Sequence, residues 1–130
     1  MGESRGGPKE GDTPAEEEFI QRLAEDSFYR AFASTHRRRI LYYLLEENDS
    51  TLEELATVLS GWDANPKTMR SPEYRMELLS QLHHNHLPQL DDVGLVEFDP
   101  QTGSAQLEPL DHLIAEIIRQ SVLAEEANDL

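Results

Sequence analysis

Three consecutive arginines, Arg37, Arg38 and Arg39, form the densest positive cluster of the chain. A guanidinium presents a rigid fork of donors that matches phosphate oxygens, so such a run can clamp an anionic backbone. At consecutive helical positions the three side chains fan over about 200° of surface, and no single partner can touch them all. A second cationic set, Lys67, Arg70 and Arg75, gathers where a helix is predicted to begin, and the exposed N–H groups there also favour an anion. For both sets the plainer alternative is a solvated arginine paired with nearby carboxylates.

His83, His84 and His86 raise the question of a metal, because His83 and His86 stand three residues apart and can share a helical face. No second ligand cluster accompanies them, and the chain has no cysteine to supply thiolates. The expectation is therefore no metal and no cofactor. His86 reads as a packed residue beside Leu87, whereas His83, His84 and Asn85 read as facing a partner. Catalysis is not expected: no glycine-rich phosphate loop and no Gly-x-Ser-x-Gly elbow occurs, and the carboxylates are spread along helix faces with nothing to shift a pair of pKa values apart.

The elements that must position these residues follow from composition and spacing. At 130 residues the chain has room for one core. Its net charge of −15 opposes a nucleic-acid partner in general, but the charge is unevenly spread. Residues 91–130 hold ten acids against one arginine, whereas residues 34–90 hold eight against six. Lysine is rare, Lys9 and Lys67 against nine arginines, a bias that with the acid excess resembles proteins of salt-loaded cytoplasm. There the Debye length falls to ~3 Å or less and like charges tolerate one another. No apolar run is long enough to span a membrane and no secretion signal opens the chain, so a cytoplasmic location is expected.

Residues 1–13 read as a disordered leader and residues 125–130 as an acidic tail, flanking a domain over 14–124. Thr13-Pro14-Ala15-Glu16 predicts a helix start, with a break near Asp26-Ser27. Ser34 or Thr35 caps a second helix burying Ile40, Leu41, Leu44 and Leu45, and Ser50-Thr51-Leu52-Glu53 is a capping box for a third that Gly61 should stop. Ser71-Pro72-Glu73 starts a long fourth helix with Leu78, Leu79, Leu82, Leu87 and Leu90 inward, kinked or loosened in its last turn by Pro88 and closed by Gly94. Leu95 to Phe98 and Ser104 to Leu107 predict a hairpin. A closing helix over 109–124 then carries Leu110, Leu113, Ile114, Ile117, Ile118 and Val122, more apolar surface than one small domain needs, which predicts a homodimer. The fold class is mainly α with a small β-hairpin.

Helices, a longer helix, a hairpin and a closing helix follow the order of winged helix-turn-helix proteins. Ser34-Thr35-His36-Arg37-Arg38-Arg39-Ile40-Leu41 and Leu52-Glu53-Glu54-Leu55-Ala56 resemble the second and third helices of ArsR-like repressors. His86-Leu87-Pro88-Gln89-Leu90-Asp91-Asp92-Val93-Gly94-Leu95-Val96 is similar to their passage from recognition helix into wing. With the composition, the chain resembles uncharacterised haloarchaeal winged-helix proteins over about residues 27–123. The resemblance implies double-stranded DNA as partner and a homodimeric transcriptional regulator, with Arg37, Arg38, Arg39, Lys67, Arg70, Arg75, His83, His84 and Asn85 on the DNA side. Two departures stand out. Gly61 to Pro72 replaces the family's tight turn, and Asp111-His112 does not supply its closing-helix metal set. No small-molecule effector is identifiable. The alternative is a protein-interaction module that has lost DNA binding, favoured by Glu97 and Asp99 on the wing.

Overall fold

A computed structural model describes residue 17, residues 21–22, 24–63 and 71–128. The expected leader, the helix start at Thr13, the segment holding Lys67 and Arg70, and the last two residues of the tail lie outside them.

The first break falls slightly earlier than expected: Ala24 and Glu25 close a turn onto the carbonyls of Gln21 and Arg22, and α1 spans Asp26–Phe32. Phe28 and Ala31 are its buried pair, and the Arg22 guanidinium lies 4.0 Å above the Phe28 ring. Ser34, in extended backbone, accepts from the Arg37 N–H and caps α2 (Thr35–Glu47), which buries Ile40, Leu41 and Leu44 as their spacing requires, whereas Leu45, expected inward with them, is only half-buried. Asn48 ends it with φ of 75°, the left-handed conformation that short amide residues tolerate.

The chain then does something the sequence reading did not include. Asp49–Thr51 forms a strand, β1, before α3 (Leu52–Asp63) begins. Since Ser50 is taken into the sheet, the cap moves one residue on: Thr51 Oγ1 accepts from the Glu54 N–H at 3.1 Å, while the Ser50 hydroxyl donates to the Glu54 carboxylate at 2.9 Å. Nor does Gly61 stop α3. A helical glycine costs about 1 kcal/mol, and the two residues beyond it offset that. Trp62 packs edge-on against Tyr42, and Asp63 ties three other side chains.

Ser71 and Pro72 start α4 (Pro72–Gln81), with the serine side chain accepting from the Tyr74 N–H. Leu82–His86 is a π-helical turn, followed by α5 (Leu87–Asp92). Pro88 accounts for the wide turn: it has no N–H to continue the α pattern, and the Leu87 N–H reaches the Leu82 carbonyl five residues back. The segment stays helical throughout, a rod with a π bulge before Pro88. Gly94, at φ of 81°, turns the chain into β2 (Val96–Asp99) and β3 (Ser104–Leu107).

The expected hairpin is thus part of a three-stranded antiparallel sheet in the order β1, β3, β2. Gly103, at φ of 80°, donates to the Asp99 carbonyl and lies against Leu52, so the hairpin tip seats on the start of α3. The closing helix, α6 (His112–Asn128), begins three residues later than expected. Leu107 and Glu108 are still bonded to Asn48 and Leu95, and Asp111 accepts from the Leu113 N–H. α6 packs on α2. That packing corrects part of the dimer reading: Ile114, Ile118 and Val122 are buried within their own domain, whereas Leu110, Leu113 and Ile117 are only half-buried. The architecture is mainly α with a small antiparallel sheet and a C-terminal helix, arranged as a winged helix.

Candidate functional site

Helical geometry decides what the arginine run can do. Arg37 stands three, four and seven residues before Ile40, Leu41 and Leu44, so it shares their inward face. It is 6% exposed. Its guanidinium donates to the carbonyls of Ala31 (3.1 Å) and Arg30 (2.8 Å) and to His86 Nδ1 at 3.0 Å. Burial, and then the nearby Arg30, lower its pKa. The expectation that Arg37 clamps a phosphate is therefore corrected: it pins α1 and the π turn to α2. An arginine offers no acceptor, so His86 Nδ1 must carry a lone pair and the proton sits on Nε2. His86 is buried, as expected of a packed residue, and its pKa is pushed down to about 4 by burial, by Arg37 and by His36.

Arg39 is committed as well. It binds Asp63 at 2.6 Å and Glu125 at 3.0 Å and lies 5.1 Å from the Trp62 ring centre. Asp63 also accepts from Tyr74 and sits 2.7 Å from His36 Nε2. Burial pushes the Asp63 carboxyl up, but the Tyr74 and His36 hydrogen bonds and the charges of His36 and Arg39 outweigh it and hold the pKa below its ordinary value. This hub joins α2, the end of α3, the start of α4 and the end of α6. The sequence reading missed it; the one signal available was a lone acid following Trp62 at a helix end. Arg38 is partly accessible, donating to the Phe32 carbonyl and to Thr35 and lying 3.7 Å from the Glu125 carboxylate that Arg39 also binds. Arg75 folds back onto α3, where it binds the Glu53 carbonyl and carboxylate and the Thr57 hydroxyl.

The rod presents a different surface. Along its solvent face Ser80, Gln81, His84 and Asn85 are exposed, and Gln89 donates to Asn85. Nearer its start Glu73, Met76 and Glu77 are exposed, with Met76 at 70%. His83 is half-buried, stacked on His84 with ring centres 4.4 Å apart and edge-on to Phe98. With His86 turned to the core, the two do not share a face toward a ligand. Of the residues expected on the DNA side, the structure thus brings His84 and Asn85 to one surface, holds Arg75 against its neighbour helix, and takes Arg37 and Arg39 inside.

Chemically, the exposed strip offers hydrogen-bonding groups on a helix, without lysine, arginine or a carboxylate, suited to meeting donor and acceptor edges. A family model described as Domain of unknown function (DUF7344) matches residues 29–106, from within α1 into β3. No curated protein and no solved structure matches the chain.

Proposed function

The chain belongs to the DUF7344 family, and on its winged-helix frame we propose a transcriptional regulator that lays the α4–α5 rod in the major groove of double-stranded DNA. The observation that carries this is the strip of Ser80, Gln81, His84 and Asn85, solvent-facing hydrogen-bonding side chains on the helix that precedes the wing. Asn and Gln pair with adenine edges and histidine with acceptor edges, so sequence is read directly there. Phosphate contact falls to Arg38 and Arg75, which exchange their Glu125 and Glu53 partners for phosphate oxygens on binding, together with Lys67 and Arg70. So few cations make counterion release a minor source of affinity, which suits a cytoplasm of high ionic strength. Two copies joined through Leu113 and Ile117 double the site and supply the affinity that phosphates do not.

The test is selection from a random duplex pool in molar KCl. Enrichment of a two-fold-related sequence with half-sites about one helical turn apart supports the reading. A pool that stays random over repeated rounds, with the fold intact by circular dichroism, removes it.

A second reading, a protein-interaction module, is favoured by one observation: Asp49, Glu97, Asp99 and Glu108 crowd the sheet and its edge, where a DNA-touching wing would carry cations. Pull-down of a defined protein that survives nuclease treatment supports this reading, and its absence removes it.

A further inference from the structure

The sheet has an outer face that neither the core nor the rod uses. Alternation turns Val96, Phe98 and Ala105 inward and leaves Glu97, Asp99, Ser104 and Gln106 exposed. The register places Asp49, Gln106 and Glu97 side by side in one row and Thr51, Ser104 and Asp99 in another. Two clefts open here. One, of about 460 Å³, runs along Glu97, Asp99, Ser104 and Gln106. The other, of about 500 Å³, continues from Glu97 and Gln106 past Glu108 to Leu45, Leu107 and Leu110.

Because they share Glu97 and Gln106, the clefts form one trough, acidic along its length and apolar at the end where α2 meets the approach to α6. No lining residue is basic. Among the described residues no arginine or lysine pairs with Glu97, Asp99 or Glu108. Charge selects the occupant: a second copy, at −15, brings acid to acid, and so does a nucleic acid. We infer that the trough seats a short cationic segment of a partner protein, extended along the strands. An apolar side chain of that segment fills the Leu45, Leu107 and Leu110 end, and its Lys or Arg residues meet Glu97, Asp99 and Glu108. Four strand positions at about 3.3 Å each give roughly 13 Å, the span of four or five extended residues. The inference rests on the interaction reading and is independent of what the rod contacts.

The probe is a capped hexapeptide of one leucine followed by alternating lysine and serine, with a twin carrying glutamate in place of lysine. Each is titrated into isotope-labelled full-length chain at the lowest KCl that preserves the fold, and amide shifts are followed. Saturable shifts clustered on Glu97, Gln106, Leu107 and Leu110, absent with the acidic twin, support the trough. Glu97→Gln with Glu108→Gln should weaken binding about fivefold, in line with two partly exposed charge pairs. The charge-matched pair Glu73→Gln with Glu77→Gln, on the rod, should leave it within twofold. Equal weakening by both pairs means the peptide senses only net charge, and overturns the inference. Shifts confined to the acidic end of α6, or no shifts at all, overturn the trough as well. Neither result bears on the nuclease-resistant pull-down, which tests the interaction reading by itself.

Discussion

Acidification should destabilise this protein well before most carboxylates are protonated, and His86 is the reason. Its Nδ1 accepts from Arg37 at 3.0 Å, so protonation breaks that bond and sets two cations together in a dry site. An unfolded histidine titrates near 6.5, whereas burial, Arg37 and His36 push the folded His86 down to about 4. Between these values the unfolded chain takes up a proton that the folded chain refuses. The stabilisation is complete above about pH 6.5 and fades as pH falls toward about 4. At 1.36 kcal/mol per unit the full effect is about 3 kcal/mol, of which roughly 2.5 is lost by pH 4.5. Urea unfolding at a series of pH values measures it, with His86→Gln as reference, because a carboxamide oxygen can accept from Arg37 at any pH. Falling net charge affects both proteins alike, so the difference isolates the imidazole. Stability curves for the two that run parallel within ~0.5 kcal/mol from pH 7 to 4.5 would refute the reasoning.

Arg37→Ala should cost about 3 kcal/mol or more of stability by denaturant titration, since it strands two carbonyls and His86 inside the fold; an unchanged midpoint contradicts the buried role. Asp63→Asn should cost ~1–3 kcal/mol near neutrality. It should also flatten the remaining loss of stability at pH below about 4, because the native carboxyl titrates below its unfolded value and its stabilisation disappears as pH falls through that range. Sedimentation equilibrium should show a dimer that Leu113→Glu with Ile117→Glu converts to monomer, and persistence of the dimer would place the interface elsewhere. Binding to a selected duplex should weaken with salt at a log–log slope no steeper than about −4 per protomer, the limit reached only if Arg38 and Arg75 exchange Glu125 and Glu53 for phosphates and Lys67 and Arg70 join them.

How far the sequence discloses this molecule depends on whether a feature is local. Ser71-Pro72 and Ser34 announce helix starts with their own side chains, and Gly94 marks the turn into the sheet, so α4, α2 and the hairpin are legible. β1 is not, because three residues gain strand identity only from β3, more than fifty residues away. Gly61 misleads for the same reason: the packing of Trp62 and Asp63 that overrides it lies on other helices. The arginine run shows the limit most clearly. Its composition reads as a phosphate clamp, yet the spacing from Arg37 to Ile40, Leu41 and Leu44 already placed that side chain on the buried stripe. Charge masked a periodicity that would have found it. In the candidate site, His84 and Asn85 are where the pattern puts them, whereas the commitments of Arg39 and Arg75 are tertiary and have no sequence signature.

Sequence discrimination by the rod is the claim on which the functional account stands. The ratio of dissociation constants for the selected and a scrambled duplex should be measured in molar KCl for the native protein and for His84→Ala with Asn85→Ala. Each lost base contact removes ~1–3 kcal/mol of discrimination, so the ratio should fall at least about tenfold in the double variant while its thermal midpoint holds. An unchanged ratio in a folded variant would mean that these residues do not read bases.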